Sequence, residues 1–442
     1  MAEPRLRKTV SAPGLLRKAR KSFDEVEDPV SGRQFTLSDC LMSGLAVFGL
    51  KYPSLLRFDR DARTDETVRA NLSSLYGIER APCDTALRER LDEVDPRELR
   101  GAFTRVLAAL QRGKGLEGFT WLDGHYLLSV DGTGYFSSSS VHCDHCCEKH
   151  HKDGRVTYSH QMLGAVVVHP EQREVFALAP EPIVKGDGAT KNDCERNAAK
   201  RMLVDVRREH PHLKLVVVED GLASNGPHIK LLKQLDMRFI LGAKPADHTA
   251  LFEWVAATER MNTGAVKSVE HTDEHGVHHR FRYLNAAPLN DAHFELEVNF
   301  LEYWETRPNG KVQRFSWVTD WPIDDANVMA LMRAARARWR IENETFNTLK
   351  NQGYCFEHNF GHGEKYLSTV FAYLMMLAFL IDQCQQRGCA LFQAAQAKAE
   401  RARYFWERLR ALFLTFPLVD WEMLYRALAF GYRSEIIVHD TS

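Results

Sequence analysis

The chain has 442 residues, of which 44% are hydrophobic and 10% are aromatic, and its formal net charge is −1. This length predicts two or three domains, and the composition excludes a disordered chain because the apolar residues suffice for real cores. The near-zero net charge excludes a uniformly basic DNA-coating protein but leaves room for local basic surfaces. Nine cysteines without a recognisable secretory leader indicate a reducing cytoplasm rather than a disulfide framework.

Residues 1–120 are predicted to form a basic arm followed by a helical domain. The arm, residues 1–30, has seven basic residues between Arg5 and Lys21. It is interpreted as flexible, and DNA contact and a solvated tail are equally acceptable roles. Farther on, Asp95, Pro96 and Glu98 have the spacing of an N-cap, a first-turn proline and the acid of a capping box. The role of this helical domain stays open.

The pattern changes to alternating strands and helices in residues 121–245. Apolar runs predict strands at 126–130, 162–168, 175–178, 214–218 and 239–241, with helices at 190–208 and 227–235. The run at 214–218 is typical of a buried parallel strand. Two of these strands are followed by an aspartate and a glycine, as Asp131-Gly132 and Asp220-Gly221.

Residues 246–322 are predicted to be a β-rich insertion. Polar and apolar residues alternate at 269–274, 278–284, 295–304 and 312–319, and Pro-Asn-Gly at 308–310 is typical of a hairpin turn. The segment is long enough to form a subdomain.

Helices are predicted for the remainder, with residues 323–385 returning to the core and residues 386–442 forming a C-terminal helical region. The apolar run 370–381 is interpreted as a buried helix, too short for a bilayer, which needs about 20 residues. One apolar face of the C-terminal region is equally suited to a dimer contact and to packing on the core.

Residues 328–350 are predicted to form one long helix with a core-facing carboxylate. Apolar residues recur at steps of three or four, at Met332, Ala335, Trp339, Phe346 and Leu349. Glu342 falls on this stripe, whereas Glu344 lies about 200° round the helix and faces the other way. Burying a charged carboxylate is costly unless a partner or metal holds it, so Glu342 is the better candidate for chemistry.

Asp131, Asp220 and Glu342 are therefore the candidate catalytic residues. They are far apart in sequence, so only a fold can bring them together. Three carboxylates around one point suit Mg²⁺ and substrate phosphates, and two such ions can promote phosphoryl transfer. The alternative is a local role for each, with both aspartates in turns and Glu342 paired with Arg338 one helical turn earlier. Their joint occurrence in these elements favours the metal-binding hypothesis.

The segments V-D-G-T, V-E-D-G and R-W-R-I-E…L-K resemble those of DDE transposases from bacterial insertion sequences. More narrowly, they resemble the group with a tyrosine–arginine–glutamate–lysine signature helix and a β-strand insertion before it. The resemblance covers about residues 120–380. It implies an α/β fold with an RNase H-like mixed sheet flanked by helices. It also implies that Asp131, Asp220 and Glu342 bind two Mg²⁺ or Mn²⁺ ions.

The resemblance also implies DNA-binding residues. Arg338 matches the signature arginine and Lys350 its lysine, and Arg340 on the same helix is predicted to contact DNA as well. Ala335 stands where the signature has tyrosine. Lys350 follows Glu342 by eight residues, one more than the usual spacing, which leaves Glu344 as an alternative third carboxylate.

A second cluster of candidate ligands is rich in cysteine and histidine. Cys143 and Cys146 have the spacing of a metal-binding pair, and His358 and His362 have a complementary histidine spacing. Together they would form a Cys₂His₂ zinc site. The alternative is a Cys/His-rich loop and a glycine-rich turn with surface histidines.

The resulting hypothesis is a cut-and-paste DNA transposase that cleaves transposon ends and transfers the strands into target DNA. Its expected partners are the double-stranded terminal inverted repeats and target DNA, with a homodimer in the synaptic complex and no membrane. Its expected location is the bacterial cytoplasm, at the nucleoid. Two alternatives remain: a metal-dependent nuclease of the same fold that does not transfer strands, and a catalytically silent DNA-binding descendant.

Overall fold

The computed structural model describes residues 4–29, 34–188 and 191–433. Its first part is helical: α1 (Ala12–Phe23), α2 (Leu37–Gly49), α3 (Leu55–Thr64), α4 (Glu66–Tyr76), α5 (Asp84–Asp92) and α6 (Arg100–Arg112). The predicted capping box is observed in part, because the Asp95 side chain accepts a hydrogen bond from the Arg97 backbone and Pro96 begins a 3₁₀ turn.

The prediction of a flexible basic arm is wrong for α1. Leu15, Leu16, Ala19 and Phe23 form a buried apolar face on this helix, and the basic side chains occupy the other positions. Helical spacing of the apolar residues, rather than the charge density, determines the structure. Residues 1–3 and 30 of the predicted arm lie outside the described residues.

The second part of the chain begins with strands. Its elements are β1 (Tyr126–Ser138), β2 (Cys147–His150), β3 (Val156–Val168), β4 (Phe176–Ala177), β5 (Glu181–Ile183), α7 (Lys191–Glu209), β6 (Leu215–Glu219), α8 (Gly226–Gln234) and β7 (Arg238–Gly242). β6 is parallel to β1 and to β7, and it is fully buried, as expected for an apolar run covered on both faces.

The predicted insertion contains α9 (Thr249–Arg260), β8 (Lys267–Thr272), β9 (His278–Pro288), β10 (Glu297–Thr306) and β11 (Val312–Thr319). These four antiparallel strands continue the core sheet, because β11 pairs with β7. The strand order is β2-β3-β1-β6-β7-β11-β10-β9-β8, with β4 and β5 paired to β3. The prediction of a mixed α/β sheet is confirmed.

The predicted long helix is interrupted. It consists of α10 (Val328–Arg336), a 3₁₀ turn (Ala337–Trp339), a π-helical turn (Ile341–Phe346) and α11 (Asn347–Asn351). A π turn holds about one residue more per turn than an α-helix, so the phase of the buried face changes along the segment. Four residues of the predicted apolar stripe, Met332, Ala335, Phe346 and Leu349, are buried, whereas Trp339 in the 3₁₀ turn is 38% exposed.

The chain ends with α12 (Leu367–Gly388), α13 (Ala390–Lys398), α14 (Ala402–Thr415) and α15 (Trp421–Phe430). α12 is longer than predicted, at 22 residues. Among the described residues, α12 has the length and composition of a helix that could cross a membrane. However, 94% of its apolar stretch is buried inside the protein. A buried core helix has the same properties.

The chain divides into two compact units. The first contains residues 1–115, 141–144 and 347–442, and the second contains residues 116–140 and 145–346. The first unit is helical and includes the Lys51–Asp382 ion pair in its core. The second contains the sheet, α7 to α10 and the predicted catalytic residues Asp131, Asp220 and Glu342.

Candidate functional site

Asp131 and Asp220 extend from neighbouring parallel strands. The parallel pairing of β1 and β6 reaches Ser129 opposite Val218, so each aspartate follows the last paired residue by two positions. Both aspartates line one cleft. The sequence placed Asp131 at the end of a strand, whereas β1 continues through it to Ser138 as the antiparallel partner of β3. What ends at this point is the pairing with β6.

A close backbone contact supports the loop that carries Asp220. The Asp220 Oδ1 atom accepts a hydrogen bond of 2.9 Å from the Leu222 backbone N–H. A Cβ atom at Gly242 of β7 would lie 3.0 Å from the Gly221 nitrogen and 3.2 Å from the Asp220 carbonyl carbon. Gly242 thus lets β7 approach this loop, and the Asp220 side chain remains exposed.

Asp131 is held by two hydrogen-bond donors. Its Oδ1 accepts from the Gly132 backbone N–H at 2.9 Å, and its Oδ2 accepts from Arg338 Nη1 at 3.2 Å. Burial and the neighbouring Glu342 carboxyl raise the pKa of Asp131 to about 7, although the Arg338 guanidinium opposes this rise. Close carboxyl groups of this kind are common in sites that bind a further cation.

Glu342 reaches the same guanidinium from the π turn. Its Oε1 lies 2.9 Å from Arg338 Nη1, and its carboxyl contributes to the raised pKa of Asp131. The expectation that Glu342 lies on a buried stripe is wrong, because its side chain is 49% exposed and Ile341 takes the buried position. Trp339, also assigned to that stripe, is 38% exposed. The 3₁₀ and π turns change the phase on which the stripe depended.

Two small residues hold this helical segment against the sheet. The Ser129 hydroxyl donates a 2.9 Å hydrogen bond to the Arg338 carbonyl oxygen. Gly164, opposite Asp131 in β3, has no side chain, and a Cβ there would lie 3.1 Å from the Phe346 ring. The segment can therefore lie close to β1 beside Asp131.

The alternative carboxylate, Glu344, makes different contacts. Its oxygens lie 3.8 Å from Arg173 and 3.8 Å from Arg340. Arg340 also donates a 2.8 Å hydrogen bond to the Pro170 carbonyl oxygen. Glu342, not Glu344, therefore shares a cation with Asp131. Lys350 belongs to the first unit, where its ammonium lies 2.7 Å from Glu357.

Three further residues of the cleft were not predicted from the sequence. Glu195 of α7 lines it, and its Oε1 would lie 3.3 Å from a Cβ at Gly132. Glu219 and His228 line it too, with a 2.6 Å contact between carboxylate and imidazole. Burial lowers the pKa of His228, but Glu219 outweighs it, and the net shift is upward. Only the position of Glu219, directly before Asp220, could have indicated this pair.

An open cleft lined by arginines lies on the other side of the helical segment. Arg333, Arg336, Arg340 and Trp339 line it together with His271 and His279 of the insertion. Arg333 pairs with Glu171 at 2.9 Å, and Arg336 pairs with Glu305. The arginines are thus held in place by acidic partners, and the surface combines guanidinium groups with an aromatic ring.

The cysteine and histidine residues form two pairs, one in each unit. In the first unit, the Cys143 thiol hydrogen-bonds the His362 side chain and, with the backbone, raises the pKa of His362 against the effect of burial. In the second unit, Cys146 Sγ lies 3.4 Å from His160 Nε2. The ring of His358, also predicted as a ligand, packs edge-on against Phe360, with centroids 4.8 Å apart, and its role as a ligand stays a prediction. His160 was missed because it lies on β3, distant in sequence from both clusters.

Comparison with known proteins does not identify the family of this chain. No protein-family model matches the chain, and no curated protein matches it. A solved structure, described as a piggyBac transposase synaptic complex with hairpin DNA, is similar with a TM-score of 0.41 and 9% sequence identity. The similarity covers 98% of this chain and 86% of that one. A TM-score this low carries no argument about function, which must come from the site itself.

Proposed function

We propose that the chain is a DDE-type DNA transposase. The observation that carries this proposal is the sharing of one guanidinium, that of Arg338, by the Asp131 and Glu342 carboxylates. Asp220 extends from the neighbouring parallel strand into the same cleft as Asp131. Three acidic side chains from distant parts of the chain thus belong to one region of the second unit.

The donor set fits divalent metal ions. Carboxylate oxygens are the ligands that Mg²⁺ and Mn²⁺ prefer, and Asp131 and Glu342 already meet around a positive charge. Asp131, Asp220 and Glu342 would hold two such ions, with Glu195 close by. Ions bound there would supply activation of a water or a 3′-hydroxyl and stabilisation of the leaving oxygen.

The protein's own residues would orient the DNA. Arg338 and Arg340, and Lys350 of the other unit, are assigned to phosphate contacts, because guanidinium and ammonium groups bind phosphate oxygens. The arginine-lined cleft beside Trp339 offers further phosphate contacts. The hydrogen bond from Ser129 to the Arg338 backbone fixes the origin of the Arg338 side chain.

The strand arrangement supports the finer part of the proposal. β3 lies antiparallel to β1, and β6 and β7 follow β1 in parallel, which suits the RNase H-like core that the sequence resemblance implies. We assign the chain to the bacterial insertion-sequence group on that resemblance. Its proposed partners are terminal inverted repeats and target DNA in the cytoplasm, and synapsis of two ends would require a homodimer.

The decisive experiment combines purified full-length protein, Mg²⁺ or Mn²⁺, a duplex from the DNA flanking the gene, and a target plasmid. A transposase is expected to yield donor ends joined covalently to the plasmid. Cleaved ends without joined product would indicate the nuclease alternative. A duplex that is bound but stays uncut would indicate the silent DNA-binding alternative, and both results would overturn the proposal.

We also propose that Cys143 and Cys146 help to bind one structural zinc ion. The two cysteines are three residues apart in one loop. Thiols at this spacing are a donor pair that zinc favours.

Elemental analysis of the purified chain tests the zinc proposal. We expect about one zinc per chain in the wild type and in Cys355→Ser, and a large loss of zinc in Cys146→Ser. The two variants replace the same side chain, so general effects of losing a thiol cancel. A folded, metal-free wild type, or equal zinc content in both variants, would contradict the proposed ligand set.

A further inference from the structure

Arg338 occupies the oxygens that a metal ion needs. Its Nη1 lies 3.2 Å from Asp131 Oδ2 and 2.9 Å from Glu342 Oε1. The other Asp131 oxygen accepts from the Gly132 backbone N–H. Both oxygens of Asp131 therefore have donors, and a cation that binds this carboxylate must compete with the guanidinium.

The surroundings keep Arg338 in this position. Its side chain is only 16% exposed, and its backbone carbonyl accepts the hydrogen bond from Ser129. Two close carboxylates repel each other unless a positive charge lies between them. Arg338 supplies that charge, and thus stands in for the metal in the free protein.

A guanidinium has a second good partner in this setting, the phosphate group of DNA, which it binds through charge-assisted and often bidentate hydrogen bonds. If the proposed function is correct, a DNA phosphate comes to the same carboxylates. We propose that Arg338 couples DNA binding to metal binding. In the free protein it holds Asp131 and Glu342, and on DNA binding it moves to a phosphate and leaves the carboxylates to the divalent ions.

The coupling must act in both directions, since each ligand raises the affinity for the other by the same factor. For wild type we expect DNA to tighten Mn²⁺ binding by roughly tenfold, within the usual range for coupled sites. Arg338→Gln removes the competing charge, so its Mn²⁺ affinity without DNA is expected to rise by roughly tenfold. DNA should then change that affinity much less than in wild type.

The experiment is a Mn²⁺ titration of the full-length protein, in which electron paramagnetic resonance measures free Mn²⁺. It is done with and without a duplex from the flanking DNA, which is checked to be uncut afterwards. The matched control is Arg282→Gln in the insertion, because Arg282 is also 16% exposed and also pairs with two carboxylates, those of Glu259 and Glu302. Its Mn²⁺ affinity without DNA should equal that of wild type.

Arg338→Lys is the second test variant, used in case Arg338→Gln does not fold. It keeps a positive charge at the site. It should bind DNA-free Mn²⁺ with an affinity between those of wild type and Arg338→Gln. Equal DNA-free affinities in wild type, Arg338→Gln and Arg338→Lys would overturn the coupling. The proposed metal centre would still stand in that case, provided that Asp131→Asn weakens Mn²⁺ binding. If Asp131→Asn has no effect on Mn²⁺ binding, the proposed function itself fails.

Discussion

One contact between a cation and carboxylates in each unit, that of Lys51 and that of Arg338, can be compared, and the two differ in charge balance. In the first unit, Lys51 Nζ lies 2.7 Å from Asp382 Oδ2, and Tyr354 donates a 2.5 Å hydrogen bond to the same oxygen. The Lys51 side chain is 1% exposed. Its ammonium lies 3.8 Å from the centroid of the Tyr354 ring and 4.0 Å from that of Trp406.

In the second unit, the single charge of Arg338 faces the carboxyl groups of Asp131 and Glu342, with Asp220 in the same cleft as Asp131. The Lys51 group is neutral as a pair and enclosed by rings, which suits a structural role. The Arg338 group carries excess negative charge and opens to solvent through Glu342. The unbalanced, accessible group is the one proposed to bind metal ions.

The largest effect is expected for a substitution of Asp220, in the cleft that it shares with Asp131. Asp220→Asn should lower the rate of DNA cleavage by at least about 10³-fold, because neutralisation of charge at the reacting phosphate is lost. Folding and DNA binding should remain, since the Asp220 side chain is exposed. Cleavage is measured on an end-containing duplex, with the exposed Asp247→Asn as the control. A normal rate for Asp220→Asn would remove Asp220 from the catalytic set.

Substitutions in the Lys51–Asp382 pair should change the free energy of unfolding. Asp382→Asn leaves the Lys51 ammonium buried without its counter-ion, and we expect the free energy of unfolding to fall by about 3 kcal/mol. Burial lowers the pKa of Lys51 and raises that of Asp382, and each partner opposes the shift of the other. Replacing both together, by Lys51→Met and Asp382→Leu, should recover most of the loss because no charge then remains buried.

Urea denaturation measures these changes in stability. The exposed Arg403–Glu407 pair, one helical turn apart at 3.0 Å, provides the control. Glu407→Gln should alter the unfolding free energy by less than about 0.5 kcal/mol. Equal stabilities of Asp382→Asn and Glu407→Gln would show that the Lys51–Asp382 pair does not stabilise the fold.

Many strands of the second unit could be predicted from sequence because they contain apolar or alternating runs that end at turn residues. The strand ends beside Asp220 and the four strands of the insertion follow directly from these patterns. The union of the insertion with the core sheet was not predictable. It depends on the pairing of β11 with β7, and a pattern of alternation does not specify a partner strand.

The candidate site was predicted less completely. Asp131 and Glu342 do share a cation, but the argument for Glu342 assumed a regular helix. The irregular segment packs against the sheet at Ser129 and Gly164, which are distant from it in sequence. Glu195 and His160 were missed for the same reason: each lies on a regular element, and only the fold brings it to its neighbours.

The smallest expected effect is a pH-dependent change in folding stability. Replacing Asp131 should stabilise the protein, whereas replacing Asp382 should destabilise it. The raised pKa of Asp131, about 7 instead of 3.8, means that the folded protein keeps a proton which the unfolded chain has already lost between about pH 4 and pH 7. Folding stability contributed by this group therefore falls as pH rises through that window. Asp131→Asn removes this loss of stability. In EDTA it should stabilise the protein at pH 8 by on the order of 1 kcal/mol, and by less at pH 5.

The control Asp247→Asn should show no such pH dependence in the same urea series. Asp382→Asn destabilises and Asp131→Asn stabilises if the first carboxylate serves the fold and the second serves a ligand. Loss of stability in Asp131→Asn at pH 8 would instead make Asp131 a structural partner of Arg338.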